Sequence, residues 1–180
     1  AQKCAETPDP NLAFDLCTRA IQSGALSGSG LAVTFNNRGN AYQSKGDYQR
    51  AIQDYDESIR IDPDSALAFN NRGSAFQHMG NYERAIQDYD QAIRLDPSSA
   101  LAYNNRGRAN HLKEDYPLAI KNFGEAIDLD PDYPLAFYNR GLARLDQGLF
   151  IAAVPDFVRA FQLDPAKPYR VLALYLAKAR

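Results

Sequence analysis

The sequence predicts an all-α solenoid of four helical hairpins, and three observations predict it. The stretch Phe35-Asn36-Asn37-Arg38-Gly39 returns as Phe69 to Gly73, as Tyr103 to Gly107 and as Phe137-Tyr138-Asn139-Arg140-Gly141, its glycine advancing 34 residues each time. An Asp-Pro pair closes each interval, at Asp62-Pro63, Asp96-Pro97, Asp130-Pro131 and Asp164-Pro165. Between these marks a glycine interrupts three of the four intervals, at Gly46, Gly80 and Gly148. A fixed interval of this length marks a repeat array, whose units bury their apolar faces only by stacking on one another.

Taken in order, the chain opens with a segment outside the repeat. Asp9 and Pro10 read as N-cap and first helical residue. Leu12, Leu16 and Ile21, with Phe14 and Cys17, supply a helical stripe to Ser23, and Gly24 offers the left-handed conformation that ends a helix. This predicts a helix over 10–23 that covers the N-terminal end of the array. Ser27-Gly28-Ser29-Gly30 reads as a flexible linker, so that residues 1–31 form tail, capping helix and linker.

Four units follow: 32–65, 66–99, 100–133 and 134–167. Each is predicted to be two helices. The first carries the aromatic-Asn-Asn-Arg-Gly motif. After the breaking glycine, Asp47 or Asn81 caps the second, on which aromatic and Ala alternate, as in Tyr82, Ala85, Tyr89 and Ala92. Proline cannot donate to a continuing helix and restricts the residue before it, so Asp-Pro enforces the turn to the next unit. Glycine inside a helix costs about 1 kcal/mol relative to Ala. Its recurrence at 39, 73, 107 and 141 therefore predicts a helix packed too close for a Cβ, with Ala51, Ala85, Ala119 and Ala153 playing the same part opposite. Unit three departs with Asn110 at the Tyr42/Phe76 position and Glu114 in place of the breaking glycine. Unit four has Arg144 at that aromatic position and Pro155 inside its second helix, which predicts a kink. The apolar run from Tyr169 to Ala177 predicts a C-terminal capping helix over 168–180.

This pattern resembles the tetratricopeptide repeat family over residues 32–167, with one constant departure: Arg38, Arg72, Arg106 and Arg140 stand where the family usually has leucine. The resemblance implies a right-handed superhelical solenoid with a concave groove lined by first helices. It places in that groove Val33, Asn36, Asn40, Gln43 and Ser44; Leu67, Asn70, Ser74, Gln77 and His78; Leu101, Asn104, Arg108, His111 and Leu112; and Leu135, Tyr138, Leu142, Leu145 and Asp146. The amides suit the exposed backbone of an extended peptide, and the apolar positions suit a hydrophobic side chain or a partner helix. Within the motif the first Asn is the expected ligand contact, whereas Asn37, Asn71, Asn105 and Asn139 read as family consensus. Some relatives clamp the C-terminal carboxylates of heat-shock chaperones. This chain keeps Asn40 and Asn71 of that clamp but has Asn36, Leu101 and Asn105 where it needs cations.

The arginines require a different account. If they lie between helices each needs a carboxylate, because an unpaired buried charge is very costly. Asp54, Asp88 and Asp156 recur with the same period, as do the loop acids Asp62 and Asp96, which predicts a ladder of structural Arg–Asp pairs in preference to an anion-binding stripe. Asn122 takes that place in unit three and leaves Arg106 as the arginine expected to be free.

No composition or motif points to catalysis. The two histidines, His78 and His111, stand outside Gly-x-Ser-x-Gly and His-Glu-x-x-His contexts. Acid pairs such as Asp54/Asp56, two apart on a helix, face different ways. Two histidines fall short of the three or four ligands zinc takes, so no catalytic residue, metal or cofactor is expected. A formal net charge of −2 offers no basic field for nucleic acid, and no window approaches the roughly 20 apolar residues of a membrane span.

The two cysteines, Cys4 and Cys17, both precede the repeats. Two readings are open: free buried thiols in a cytosolic protein, or a disulfide stapling the tail to the capping helix. The spacing is reachable and the Ala1-Gln2 start fits a mature end after signal-peptide removal, so the disulfide is favoured. The pattern also resembles secreted tetratricopeptide proteins of Gram-negative bacteria, which implies an extracytoplasmic, periplasmic location; the alternative is cytoplasmic. The function expected is a non-catalytic scaffold or adaptor for a protein or peptide, with a self-associating homo-oligomer as the alternative.

Overall fold

The computed structural model describes Cys4 and residues 9–165, and every regular element among them is helical. Nine helices are described: α1 Pro10–Gln22, α2 Gly28–Ser44, α3 Tyr48–Ile61, α4 Ala66–His78, α5 Tyr82–Leu95, α6 Ala100–Leu112, α7 Tyr116–Leu129, α8 Pro134–Asp146 and α9 Phe150–Leu163. They fall into two compact units, Ala1–Pro97 and Ser98–Arg180. The predicted helix over 168–180 lies outside the described residues.

Capping explains where the helices start. Asp9 accepts the Asn11 N–H at 2.9 Å at the head of α1. Ser65 and Ser99 cap α4 and α6, accepting from the N–H groups of Ala68 and Ala102. Asp47, Asn81 and Asp115 do the same for α3, α5 and α7. Each such bond satisfies a donor that the first turn leaves without an intrahelical partner. The second helices end at Asp62, Asp96, Asp130 and Asp164, each immediately before its proline.

One local expectation needs correction. Turn signals predict a linker at 27–30, but α2 already begins at Gly28 and Thr34 Oγ1 donates to the Gly30 carbonyl at 2.7 Å. Burying Ala32 and Thr34 outweighs the modest helix penalty of one glycine. Pro155 lies within α9, which runs as one helix from Phe150 to Leu163.

In the first unit α1 packs on α2, and the hairpins α2–α3 and α4–α5 stack through α3 and α4. The Phe14 ring meets Tyr42 edge-on at 5.1 Å, with Lys45 Nζ 4.6 Å from the Phe14 centroid. A disulfide joins Cys4 to Cys17, with Cα atoms 5.3 Å apart, and ties the tail to α1. In the second unit α6–α7 and α8–α9 are the hairpins, stacked through α7 and α8.

Every hairpin closes on the same contact. A Cβ on Gly39 would lie 2.6 Å from the Tyr55 ring, one on Gly107 2.7 Å from Phe123, and one on Gly141 2.8 Å from Phe157. On Gly73 it would meet Tyr89 at 2.9 Å and the Ala85 carbonyl at 3.1 Å. Tyr55, Tyr89, Phe123 and Phe157 are fully buried, as are Ala51, Ala85, Ala119 and Ala153. The predicted close approach is therefore of a ring on the second helix. The breaks between helices use left-handed backbone at Gly46, Gly80 and Gly148, and Glu114 adopts it too, at φ 63°.

Two substitutions test this geometry by chemical denaturation. Gly107→Ala is expected to lose about 1–2 kcal/mol through overpacking, although alanine is the better helix former. Glu114→Gly is expected to gain about 1 kcal/mol by relieving left-handed strain. A stabilised Gly107→Ala would refute the close-contact account.

Candidate functional site

The motif sends its side chains in different directions, and only some reach a surface where a partner can meet them. The arginines turn into the structure. Arg38 grips Asp54 with two bonds of 2.7 Å. Arg72 grips Asp88 at 2.9 and 2.7 Å and reaches Asp56 at 2.6 Å. Arg140 grips Asp156, which also accepts Arg144 Nη1 at 2.7 Å. Each guanidinium also lies over the aromatic ring three residues earlier: Phe35, Phe69, Tyr103 and Phe137, at 5.3–5.7 Å. The expected Arg–Asp ladder is present in three repeats. Arg106 is not free: its Nε donates to Asn122 Oδ1 at 2.8 Å, since a neutral amide oxygen still accepts from guanidinium. Hydrogen bonds to the carboxylates raise Arg38 and Arg72 above the ordinary guanidinium range. Burial pushes the Asp88 carboxyl up against the pull of Arg72.

The motif asparagines tie repeats together. Asn71 Nδ2 donates to Asn36 Oδ1 at 3.0 Å and to Asn40 Oδ1 at 3.2 Å in the first unit. Asn139 Nδ2 donates to Asn104 Oδ1 at 2.9 Å in the second. Asn36, Asn70 and Asn104 are buried. The first Asn of the motif, expected to touch a ligand, thus sits beneath the surface, and the second Asn reaches back to it across the repeat. Spacing alone gave no sign of this because both residues fall on the inner side of the same turn.

Buried tyrosine hydroxyls set the next layer. Tyr55 Oη donates to Asn40 Oδ1 at 2.7 Å and lies 3.1 Å from Gln43 Oε1; Tyr89 Oη donates to Gln77 Oε1 at 3.3 Å. Gln43 Nε2 donates to Ser74 Oγ at 3.1 Å. Where the ring is Phe123 or Phe157, Gln43 gives way to His111 and then Leu145. His111 Nε2 meets Asp146 Oδ2 at 2.7 Å, and Leu142, Leu145 and Tyr138 pack around Phe157. The Tyr-with-Gln and Phe-without pairing was a usable sequence signal that the first-helix reading missed.

One open cleft of the first unit, of about 370 Å³, is lined by Asn40, Gln43, Ser44, Tyr48 and His78. Four of these are predicted groove residues. The fifth, Tyr48, stacks on His78 with centroids 5.0 Å apart and planes 4° from parallel. Its period, Tyr48, Tyr82, Tyr116 and Phe150, is legible in the sequence. Val33 and Leu67 stay exposed in the same unit, whereas Gln77 is buried. In the second unit Leu101, Arg108 and Leu112 are exposed, and Leu135, Tyr138, Leu142 and Leu145 are half-buried.

The paired charges and buried phenols generate two tests. Asp54→Ala strands Arg38 and is expected to cost about 3 kcal/mol, while the double variant Arg38→Met/Asp54→Leu recovers most of it; a double variant as weak as the single would contradict the pairing. Burial raises the Tyr55 phenol, with Asp54 adding to the effect. The unfolded chain then releases this proton first, so stability is full below about pH 10 and falls above it, by up to about 1.4 kcal/mol per pH unit. Tyr55→Phe should flatten that fall in denaturation curves taken from pH 9 to 12.

Two family models match the chain, "Tetratricopeptide repeat" over residues 39–112 and "TPR repeat" over 109–148. No curated protein matches. Among solved structures, MamA (41-end) from Desulfovibrio magneticus RS-1 superposes with a TM-score of 0.77 at 21% identity, over 93% of this chain and 92% of that one. The first TPR of Spaghetti (RPAP3) bound to an HSP90 peptide has a TM-score of 0.65 at 25% identity, over 68% and 97%. The second TPR domain of human RPAP3, in complex with an HSP70 peptide, has a TM-score of 0.60 at 32% identity, over 63% and 94%. The two models together span residues 39–148, and the chain belongs to the tetratricopeptide repeat family.

Proposed function

We propose that the protein is a non-catalytic adaptor that holds an extended peptide segment of another protein on the first-helix face of its hairpins. The observation that carries this reading is the cleft between Asn40, Gln43, Ser44, Tyr48 and His78. Its amide and hydroxyl groups offer donors and acceptors to a peptide backbone, and the Tyr48–His78 stack gives it a rigid wall. Rigid hairpins present these groups already ordered, which limits the entropy lost on binding. A general protein-interaction role is what the family supports, and two of the structures similar to this chain carry chaperone peptides. The cations of the chaperone carboxylate clamp are replaced here by Asn36, Leu101 and Asn105, which favours a different peptide. The disulfide supports a location outside the reducing cytoplasm, in the periplasm or beyond.

A second reading, self-association, is favoured by one observation. In the second unit Gly148, Leu149, Phe150, Ile151 and Ala152 line an apolar cleft of about 440 Å³, with Phe150 65% and Ile151 86% exposed. Photo-cross-linking amino acids at Ser44, at His78 and at Gln53 on the second helix separate the readings. The adaptor gives a discrete heterologous adduct from Ser44 and His78 that Gln53 lacks and Tyr48→Ala removes. Equal labelling from Gln53 sinks the groove. Adducts between two copies, together with a scattering mass that rises with concentration and returns to monomer in Ile151→Glu, establish self-association instead.

A further inference from the structure

The repeat allows one arginine environment to be compared at equivalent places. Arg72 is flanked by two acids, Asp88 sixteen residues after it and Asp56 sixteen before it, and bonds to both. For Arg140 the residue sixteen after is Asp156, which it grips through Nε at 3.1 Å and Nη2 at 2.7 Å. The residue sixteen before is Gly124. A Cβ built on Gly124 would lie 3.9 Å from Arg140 Nη1, so a carboxylate one bond further out would reach that nitrogen. Among the described residues, the side-chain bonds of Arg140 run through Nε and Nη2, both to Asp156.

Charge sharpens the contrast. Around Arg72 one guanidinium meets two carboxylates. Around Arg140, two guanidiniums share one, because Arg144 Nη1 bonds Asp156 Oδ2 at 2.7 Å. Asp156 is 2% exposed, and both guanidiniums bond to it. Arg140 keeps 19% of its side chain exposed, against 21% for Arg72. On α7, Lys121 and Asp128 lie one turn to either side of Gly124, cancelling each other's charge. The Phe137 ring supports the guanidinium from below at 5.7 Å.

We propose that Arg140 and Gly124 form a carboxylate-binding site, filled from outside the chain in the way Asp56 fills the slot of Arg72 from within. The site is separate from the cleft at Tyr48 and does not rest on the groove reading. A charge-assisted bond to guanidinium, next to a second cation, selects an anion with a planar pair of oxygens over chloride.

Acetate titration at constant ionic strength against chloride, followed through the arginine Nε–H signals in nitrogen-15 spectra, tests the site. A saturable millimolar shift at Arg140, with Arg72 unmoved, is the expected result. Gly124→Asp supplies the missing carboxylate and should abolish the shift, whereas Gly124→Ala, whose Cβ stays at ordinary contact distance and brings no acceptor, should retain it. Should Gly124→Asp fail to fold, Arg144→Tyr serves: it removes the second cation and should weaken acetate about threefold. A short glutamate peptide titrated beside its glutamine counterpart distinguishes the sources. Saturation by the glutamate peptide alone assigns the site to a partner's acidic side chain, and saturation by acetate but neither peptide assigns it to small carboxylates. No saturable shift beyond the chloride control, or equal shifts at Arg72 and Arg140, overturns the proposal.

Discussion

The contact of a first-helix glycine with a second-helix ring is the constraint on which the rest of this structure depends. With Gly39 against Tyr55 and Gly107 against Phe123, the two helices of a hairpin come together at a distance that no side chain on the first helix permits. That proximity brings Arg38 within reach of Asp54 and Arg72 within reach of Asp88, and it seats each guanidinium over the ring at the head of its own motif. The arginine stands where the family usually has leucine, and each guanidinium meets an oxygen of the second helix, on Asp54, Asp88, Asn122 or Asp156. A cation is tolerated there because the carboxylate arrives from the helix that the glycine lets in.

The same proximity forces polar bookkeeping inside each unit. A tyrosine ring driven against the first helix carries its hydroxyl into a place without water, and Asn40, Gln43 or Gln77 must meet it. Where the ring is Phe123 or Phe157 that demand disappears, and the facing positions turn to His111 and Leu145. The surface chemistry of the first helices therefore follows from which ring lies beneath them. The polar cleft of the first unit and the apolar face of the second are consequences of tyrosine in one and phenylalanine in the other.

Much of the fold was legible because its determinants are periodic. The hairpins, the capping residues Asp9, Asp47 and Asn81 and the Asp-Pro turns follow from residue type and spacing, whereas the disulfide was one of two open readings of Cys4 and Cys17. The candidate site was less legible, for physical reasons. Whether an amide at Asn36 faces water or a neighbouring repeat depends on what the next repeat sends back, and Asn71 is 35 residues away. Tyr48 belongs to the second helix, so a rule that assigns the groove to first helices passes over it, though it forms a wall of the cleft through its stack on His78. Arg106 was read from the absence of an acid, whereas the geometry that positions Asn122 is indifferent to its charge.

The cross-links between repeats also have a temporal meaning. Side-chain to side-chain bonds between the helices of a hairpin span 12 to 16 residues, and those between hairpins 16 to 35. Among the described residues none of these bonds waits for the far end of the chain. A polypeptide delivered gradually from its N-terminus closes its first hairpin as soon as Tyr55 and Asp54 emerge, and gains the next inter-repeat bond when Asn71 follows. The Cys4–Cys17 loop closes before either. Such a chain folds in the order in which it is made or moved, each unit serving as the template on which its successor docks.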